Sequence, residues 1–249
     1  GTFGLPPTDA QLLDNLALDF VESGWSIKSL LRSLLSSSMF RSSGRFHQGN
    51  DRTDPRNRYN WKFRGRRLSA EEIRDSILSF SGDLNLKLGG PGVYPLLPDE
   101  VLATASRPDS AWGRSSKEES SRRSIFIHVK RSLLHPMLQA FDMADTDNPC
   151  PVRFNTIQPT QALTLLNSDF SERQAKSFAD RLENEHSNTR DRIRACMLIV
   201  SQKAPAPQRV DENLSFFENL KSEHDLNDRQ ALEIFCLMAL NLTETIHID

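Results

Sequence analysis

Arginine is the residue whose chemistry stands out along this chain. A guanidinium offers its N–H donors as a planar fork that matches the oxygens of sulfate, phosphate or carboxylate. Residues 41–75 hold ten Arg/Lys against five Asp/Glu, a local charge of 10 − 5 = +5. Residues 107–131 hold seven against three, 7 − 3 = +4, and residues 172–249 hold ten against fourteen, 10 − 14 = −4. A basic centre beside an acidic end could form an anion-binding face, with Arg66, Arg67, Arg123, Arg131 and Arg153 as its candidate ligands. The same charges could instead be structural: Arg66, Arg67 and Arg74 would pair with Glu71, Glu72 and Asp75, or dock on the acidic C-terminal half. Pairing is the commoner use, because Arg–carboxylate networks hold irregular segments in place.

Candidates for acid–base chemistry are few. His135 precedes Pro136 at a helix start with Asp142 two turns later, and Asp75 is the other candidate. A general base needs an orienting partner within reach, and a histidine in this position is more often a cap or core-edge residue. His128 reads as structural. Asp142, Asp145, Asp147 and Asn148 resemble the start of a calcium loop, but Pro149 takes the next ligand position and no glutamate closes it, so no metal site is expected. The GGPG run at 89–92 has the wrong spacing for a phosphate-cradling loop. Tyr59, Trp61 and Phe63 alternate with bases as an RNA-stacking surface would, yet a pI near 6.4 lacks the basic footprint, so nucleic acid is not the expected partner. Thr156, Gln161 and Asn167 surround an apolar helix, either tying loops to it or lining a pocket with Arg153; the first role is favoured.

The elements that must position these groups are mainly helical. With 249 residues, 37% of them hydrophobic, the chain can bury a real core without disulfides or metal. Its net charge of −2 gives no overall pull toward nucleic acid or membrane. Cys150, Cys196 and Cys236 show no CxxC, CxxCH or zinc spacing, and the last two sit in apolar helical runs as small hydrophobes. The longest apolar runs fall short of the ~18–20 residues that span a bilayer.

Apolar residues recur at helical steps from Asp9 to about Ser23, with Thr8 as N-cap, and again from Ser26 through Leu35, predicting a helical hairpin. A third helix starts at Ser69, with Glu72 completing a capping box, and ends near Gly82. Residues 83–123 read as the longest irregular region, and SIFIHV (124–129) as a short strand or a helix start. Helices are then predicted from Pro136, over 159–167, from Ser168 or Asp169 to about Asn184, and over 189–202, 207–221 and 227–242. The expected fold is mainly α: an irregular multi-helix domain with long Gly/Pro loops, at most a short β element and a C-terminal helical bundle. One domain is expected over 1–249, basic and loop-rich to residue 150 and a helical bundle over 151–249.

Four segments, GWSIKSLLRSLLSSSMFRSS (24–43), RGRRLSAEEIRDSILSFSG (64–82) with GGPGVYPLLP, RRSIFIHVKRSLLHPMLQAFD (122–142) and RFNTIQPTQALTLLNSDF (153–170), resemble the planctomycete-specific domain of unknown function found C-terminal in planctomycete cytochrome-c-type surface proteins. The ending FCLMALNLTETIHID is similar to that family's closing helix. The resemblance implies the C-terminal fragment of a longer exported protein, in the periplasm or at the cell surface, although no signal peptide opens this chain. It implies the parent's other domains as partners and haem c, if present, in an absent upstream domain; no cofactor is expected in this chain. The function expected is a non-catalytic or accessory module that binds an anionic partner such as a sulfated glycan. The alternative is an enzyme domain acting on a polyanionic polysaccharide, with the arginines holding the anion and His135 or Asp75 doing acid–base work.

Overall fold

A computed structural model describes residues 6–150, 152–153 and 155–248. The chain forms two compact units, Gly1–Arg66 with Ile248–Asp249, and Arg67–His247. The fold is mainly α, as the periodicity predicts.

The first unit holds α1 (Ala10–Glu22), α2 (Ile27–Ser36) and α3 (Gln48–Thr53), and ends in β1 (Arg66–Arg67), whose second residue opens the other unit. Asp9 caps α1, its Oδ1 accepting the Leu12 N–H at 2.9 Å; the expected Thr8 lies one residue too early to reach that donor. Gly24 and Trp25 both adopt positive φ, 71° and 61°, and this left-handed reversal turns the chain into α2. Trp25 then packs edge-on to Phe20 at 5.4 Å. Ser26 caps α2 as expected, at 3.2 Å from the Ser29 N–H. Helix α3 interrupts the Arg-rich stretch, where no helix is predicted; His47 Nδ1 caps it by accepting the Asn50 N–H.

The loop after α3 is knitted by side chain to backbone bonds. Trp61 Nε1 donates to the Asp54 carbonyl at 2.9 Å, and Asn57 donates to the Lys62 carbonyl at 2.8 Å. Arg64 donates to the carbonyls of Arg56 and Asn57. The Lys62 ammonium lies 4.7 Å from the Trp61 ring. Trp61 and Phe63 are half-buried here, and Tyr59 alone of the three aromatics stands exposed.

The second unit contains α4 (Ala70–Ser81), α5 (Asp99–Ala103), α6 (Pro108–Ala111), α7 (Lys117–Ser120), a 3-10 turn (Ser124–Phe126), α8 (Pro136–Ala140), α9 (Pro159–Asn167), α10 (Asp169–Glu185), α11 (Thr189–Ser201), α12 (Pro207–His224), α13 (Asp228–Ala239) and α14 (Thr243–Ile246). Strand β2 (His247–Ile248) pairs with β1 in a two-stranded ladder. Helix α10 packs on both α4 and α13, so a helix from the basic stretch joins the C-terminal bundle. Their shared core contains Ile73, Ile77, Phe178, Leu182, Leu232 and Phe235. Full burial of each such side chain is worth about 1.5–3 kcal/mol. Cys196 and Cys236 are free thiols with no solvent exposure.

The expected capping box on α4 is present: Ser69 Oγ accepts the Glu72 N–H, and Glu72 Oε2 accepts the Ser69 N–H at 2.8 Å. Gly82 ends the helix at φ 84°. Residues 83–123 are more ordered than their composition suggests. They contain α5–α7, and their Leu97 and Ala111 form a small second core with Leu133. Arg122, fully buried, donates to the carbonyls of Lys87, Gly89 and Pro91 and packs its guanidinium 4.2 Å from the Phe126 ring centroid. One side chain thus satisfies the carbonyls of the Gly/Pro turn. The SIFIHV run becomes the 3-10 turn and a single bridge between Val93 and Ile127. Asp75 Oδ1 accepts the Ser124 N–H at 2.7 Å and so favours the turn over an extended start. Among the described residues no helix is long and apolar enough to cross a membrane.

Candidate functional site

The arginines singled out in the sequence do not share one pocket. Arg67 is buried, pairs with Asp142 at 2.7 Å and donates to the carbonyls of Phe141 and Thr156. Arg123 meets Asp75 at 3.5 Å, Arg131 meets Asp147, and Arg153 meets Glu71 at 2.6 Å. Four carboxylates thus serve these four arginines, and none of the four lines either of the two cavities beside α4 and α10. Arg66 is an exposed residue of β1.

Asp142 joins α8 to the loop before α9. Its Oδ1 accepts the Thr156 hydroxyl at 2.8 Å, and its Oδ2 accepts the Thr156 N–H at 2.9 Å. Burial pushes the Asp142 pKa up, but the Thr156 N–H and Arg67 outweigh it, leaving the carboxyl below its ordinary value. Gln161 donates to the carbonyls of Ala140 and Thr156, so the amide ties loops together. Asp145 accepts from the Asp147 N–H and the Asn148 amide, and Asp142 is turned to Arg67. Among the described residues no group of three or more His, Cys, Asp or Glu side chains is arranged to hold a metal ion.

A cleft not legible in the sequence lies beside α4 and α10. One cavity of about 480 Å³ is walled by Arg74, His135, Phe170, Arg173 and Lys176, with Ser120 and Ser177 among its hydroxyls. A second, about 580 Å³, shares Leu96, His135, Phe170 and Arg173 with it and continues past Asp99, Asn167 and Asp169. Both fall in the range of small-ligand sites.

Arg74 is only 2% exposed. Its Nη1 donates to the Arg122 carbonyl and the Ser124 hydroxyl, each at 3.1 Å, and its Nη2 to the Ser120 carbonyl at 2.6 Å. All three acceptors are neutral. Among the described residues no carboxylate lies within ion-pair distance, and Nε has no hydrogen-bond partner. Burial pulls the Arg74 pKa down to about 10, opposed by the charge of Asp75, so the group keeps its charge at neutral pH. Beside it His135 is 7% exposed, and its buried Nδ1 has no partner among the described residues. Burial, and then the charge of Arg74, drive its pKa down to about 3, so the imidazole is neutral.

The sequence pairs Arg74 with Glu71, Glu72 and Asp75 or docks it on the acidic C-terminal half, whereas its hydrogen bonds go to Arg122, Ser124 and Ser120. The signal that could have found it is its register: Ala70, Ile73, Arg74, Ile77, Leu78 and Ser81 form the buried face of α4. Asp75 sits one residue off that face and is taken up by the Ser124 N–H and Arg123. The sequence offers His135 as a candidate base but favours a cap or core-edge role; it occupies the N-cap position of α8, is buried, and feels the charge of Arg74.

No curated protein and no solved structure matches the chain. A family model described as "PSD1: Protein of unknown function (DUF1553)" matches residues 1–217, up to the middle of α12 and short of the closing helices. With most of its length matched, the chain belongs to the PSD1 family of proteins of unknown function.

Proposed function

We propose that the chain is a non-catalytic, accessory helical module of an exported surface protein, and that it holds an anionic partner, such as a sulfated glycan, at the cleft beside Arg74. The observation that carries this reading is the buried Arg74 charge, matched by neutral acceptors in a wall that also presents Arg173 and Lys176. A charge kept from water with no carboxylate in ion-pair contact is costly, and an anion in the cleft would offset that cost. The setting comes from the sequence resemblance: an extracytoplasmic location, the parent's other domains as partners, and haem c in an upstream domain. The enzyme reading needs a group that exchanges a proton near neutral pH. His135 is held neutral down to about 3, and Asp75 is committed to Ser124 and Arg123, which favours binding over catalysis. The test is retention on dextran sulfate compared with neutral dextran. Retention on the sulfated polymer alone supports the reading, and equal retention on both or on neither ends it.

A further inference from the structure

Resting on that reading, we infer that the cavity walled by Arg74, His135, Arg173 and Lys176 seats a single oxyanion group, a sulfate, phosphate or carboxylate, with Arg74 as the buried counter-charge. Of the five N–H donors a guanidinium carries, hydrogen bonds to Arg122, Ser124 and Ser120 use three, 5 − 3 = 2 remaining. The His135 ring makes no hydrogen bond among the described residues and, being neutral, still has one N–H to donate. Buried polar atoms without partners are uncommon in folded proteins, and here two residues that carry one, Arg74 at Nε and His135 at Nδ1, line the same cavity.

The cations on the open side are available to a ligand. Arg173 and Lys176 stand three residues apart on α10 and share its face. Arg173 has Asp169 only at 4.0 Å, and Lys176 enters no ion pair among the described residues. The acids in the same wall are already occupied: Asp180 pairs with Arg229 at 2.7 Å, and Asp83 accepts from Gln174 at 3.4 Å. The wall's four cations, Arg74, Lys117, Arg173 and Lys176, still outnumber its two carboxylates, Asp83 and Asp180, so the cavity carries net positive charge. A cavity of about 480 Å³ exceeds one oxyanion, so the group can carry a larger body toward the second cavity, past His135 and Phe170.

The probes are inorganic sulfate, inorganic phosphate and acetate, each titrated calorimetrically into the full chain at constant ionic strength. Sulfate and phosphate also strengthen folded proteins by exclusion from their surface, so a saturable heat, and not a rise in melting temperature, is the readout. The ring resonances of His135 are followed in parallel. The expected result is saturable binding of at least one anion, a shift of the His135 signals on saturation, and affinity at least tenfold weaker in the double variant R173E/K176E. Both of its positions are exposed, so that variant retains the fold. R74Q should abolish binding; if it does not fold, the double variant decides. Absence of saturable binding, unmoved His135 signals, or unchanged affinity in R173E/K176E each overturns the seat. If no small anion binds saturably but wild type binds dextran sulfate and R173E/K176E binds it more weakly, the proposed function stands and only this single-anion seat is lost; if wild type does not bind dextran sulfate, both fall.

Discussion

Arg67 and Arg131 look alike in the sequence and do opposite amounts of structural work. The side chains of Arg67 and Asp142 are 5% and 20% exposed, whereas those of Arg131 and Asp147 are 73% and 58% exposed. Removing one partner of a buried pair leaves the other charge stranded and costs about 3–5 kcal/mol, while exposed pairs contribute little. Arg67→Ala should therefore lower stability by about 3 kcal/mol in denaturant unfolding, and Arg131→Ala should leave it within about 0.5 kcal/mol of wild type. His135 supplies a pH signature. Its folded pKa, about 3, lies below its ordinary 6.5, so the unfolded chain binds the extra proton first as the pH falls. The associated stability is complete above the ordinary value and is lost between there and about 3, at up to about 1.4 kcal/mol per pH unit. Asp142 and Glu71, both lowered from ordinary values of 3.8 and 4.5, add their own loss further toward acid. In urea midpoints taken across this range, His135→Leu should show a flatter profile than wild type above the carboxylate region. An unchanged slope would mean that His135 is not buried neutral.

Elements fixed by neighbours in sequence were legible, and those fixed by distant partners were not. The α4 capping box lies wholly within residues 69–72, and Ser26 and Ser168 cap their helices from adjacent positions. Ser69→Ala should cost about 1 kcal/mol, measurable as a shift in the denaturation midpoint. Residues 83–123 read as loop because what orders them lies far along the chain: Arg122 reaches the carbonyls of Lys87 and Pro91, 35 and 31 residues away. SIFIHV stays open between strand and helix start in the sequence for the same reason, since Asp75, 49 residues earlier, sets the Ser124 turn. Arg122→Ala should release the Gly/Pro turn, and limited proteolysis should then cut within 86–92 well before the rest of the chain. Equal resistance in variant and wild type would show that Arg122 does not hold the turn.

Across the whole molecule, the α-helical class and the PSD1 membership follow from patterns spread along the chain, whereas the cleft depends on which helix faces meet. Arg74 and Arg173 lie 99 residues apart and share a wall only because α4 packs on α10. The three cysteines report on the second unit. Cys150 is exposed, while Cys196 and Cys236 lie in the core of α11 and α13, and burial pushes the Cys236 thiol up. One thiol should react with an aromatic disulfide reagent at once, and the other two only at the rate of unfolding. Whether the cleft holds an anion is decided by calorimetric titration of dextran sulfate into wild type and R173E/K176E at low and raised salt. Wild type should bind saturably, with affinity that weakens as salt rises and falls at least tenfold in the variant. Equal affinity in the two proteins, or no binding by wild type at low salt, would contradict it.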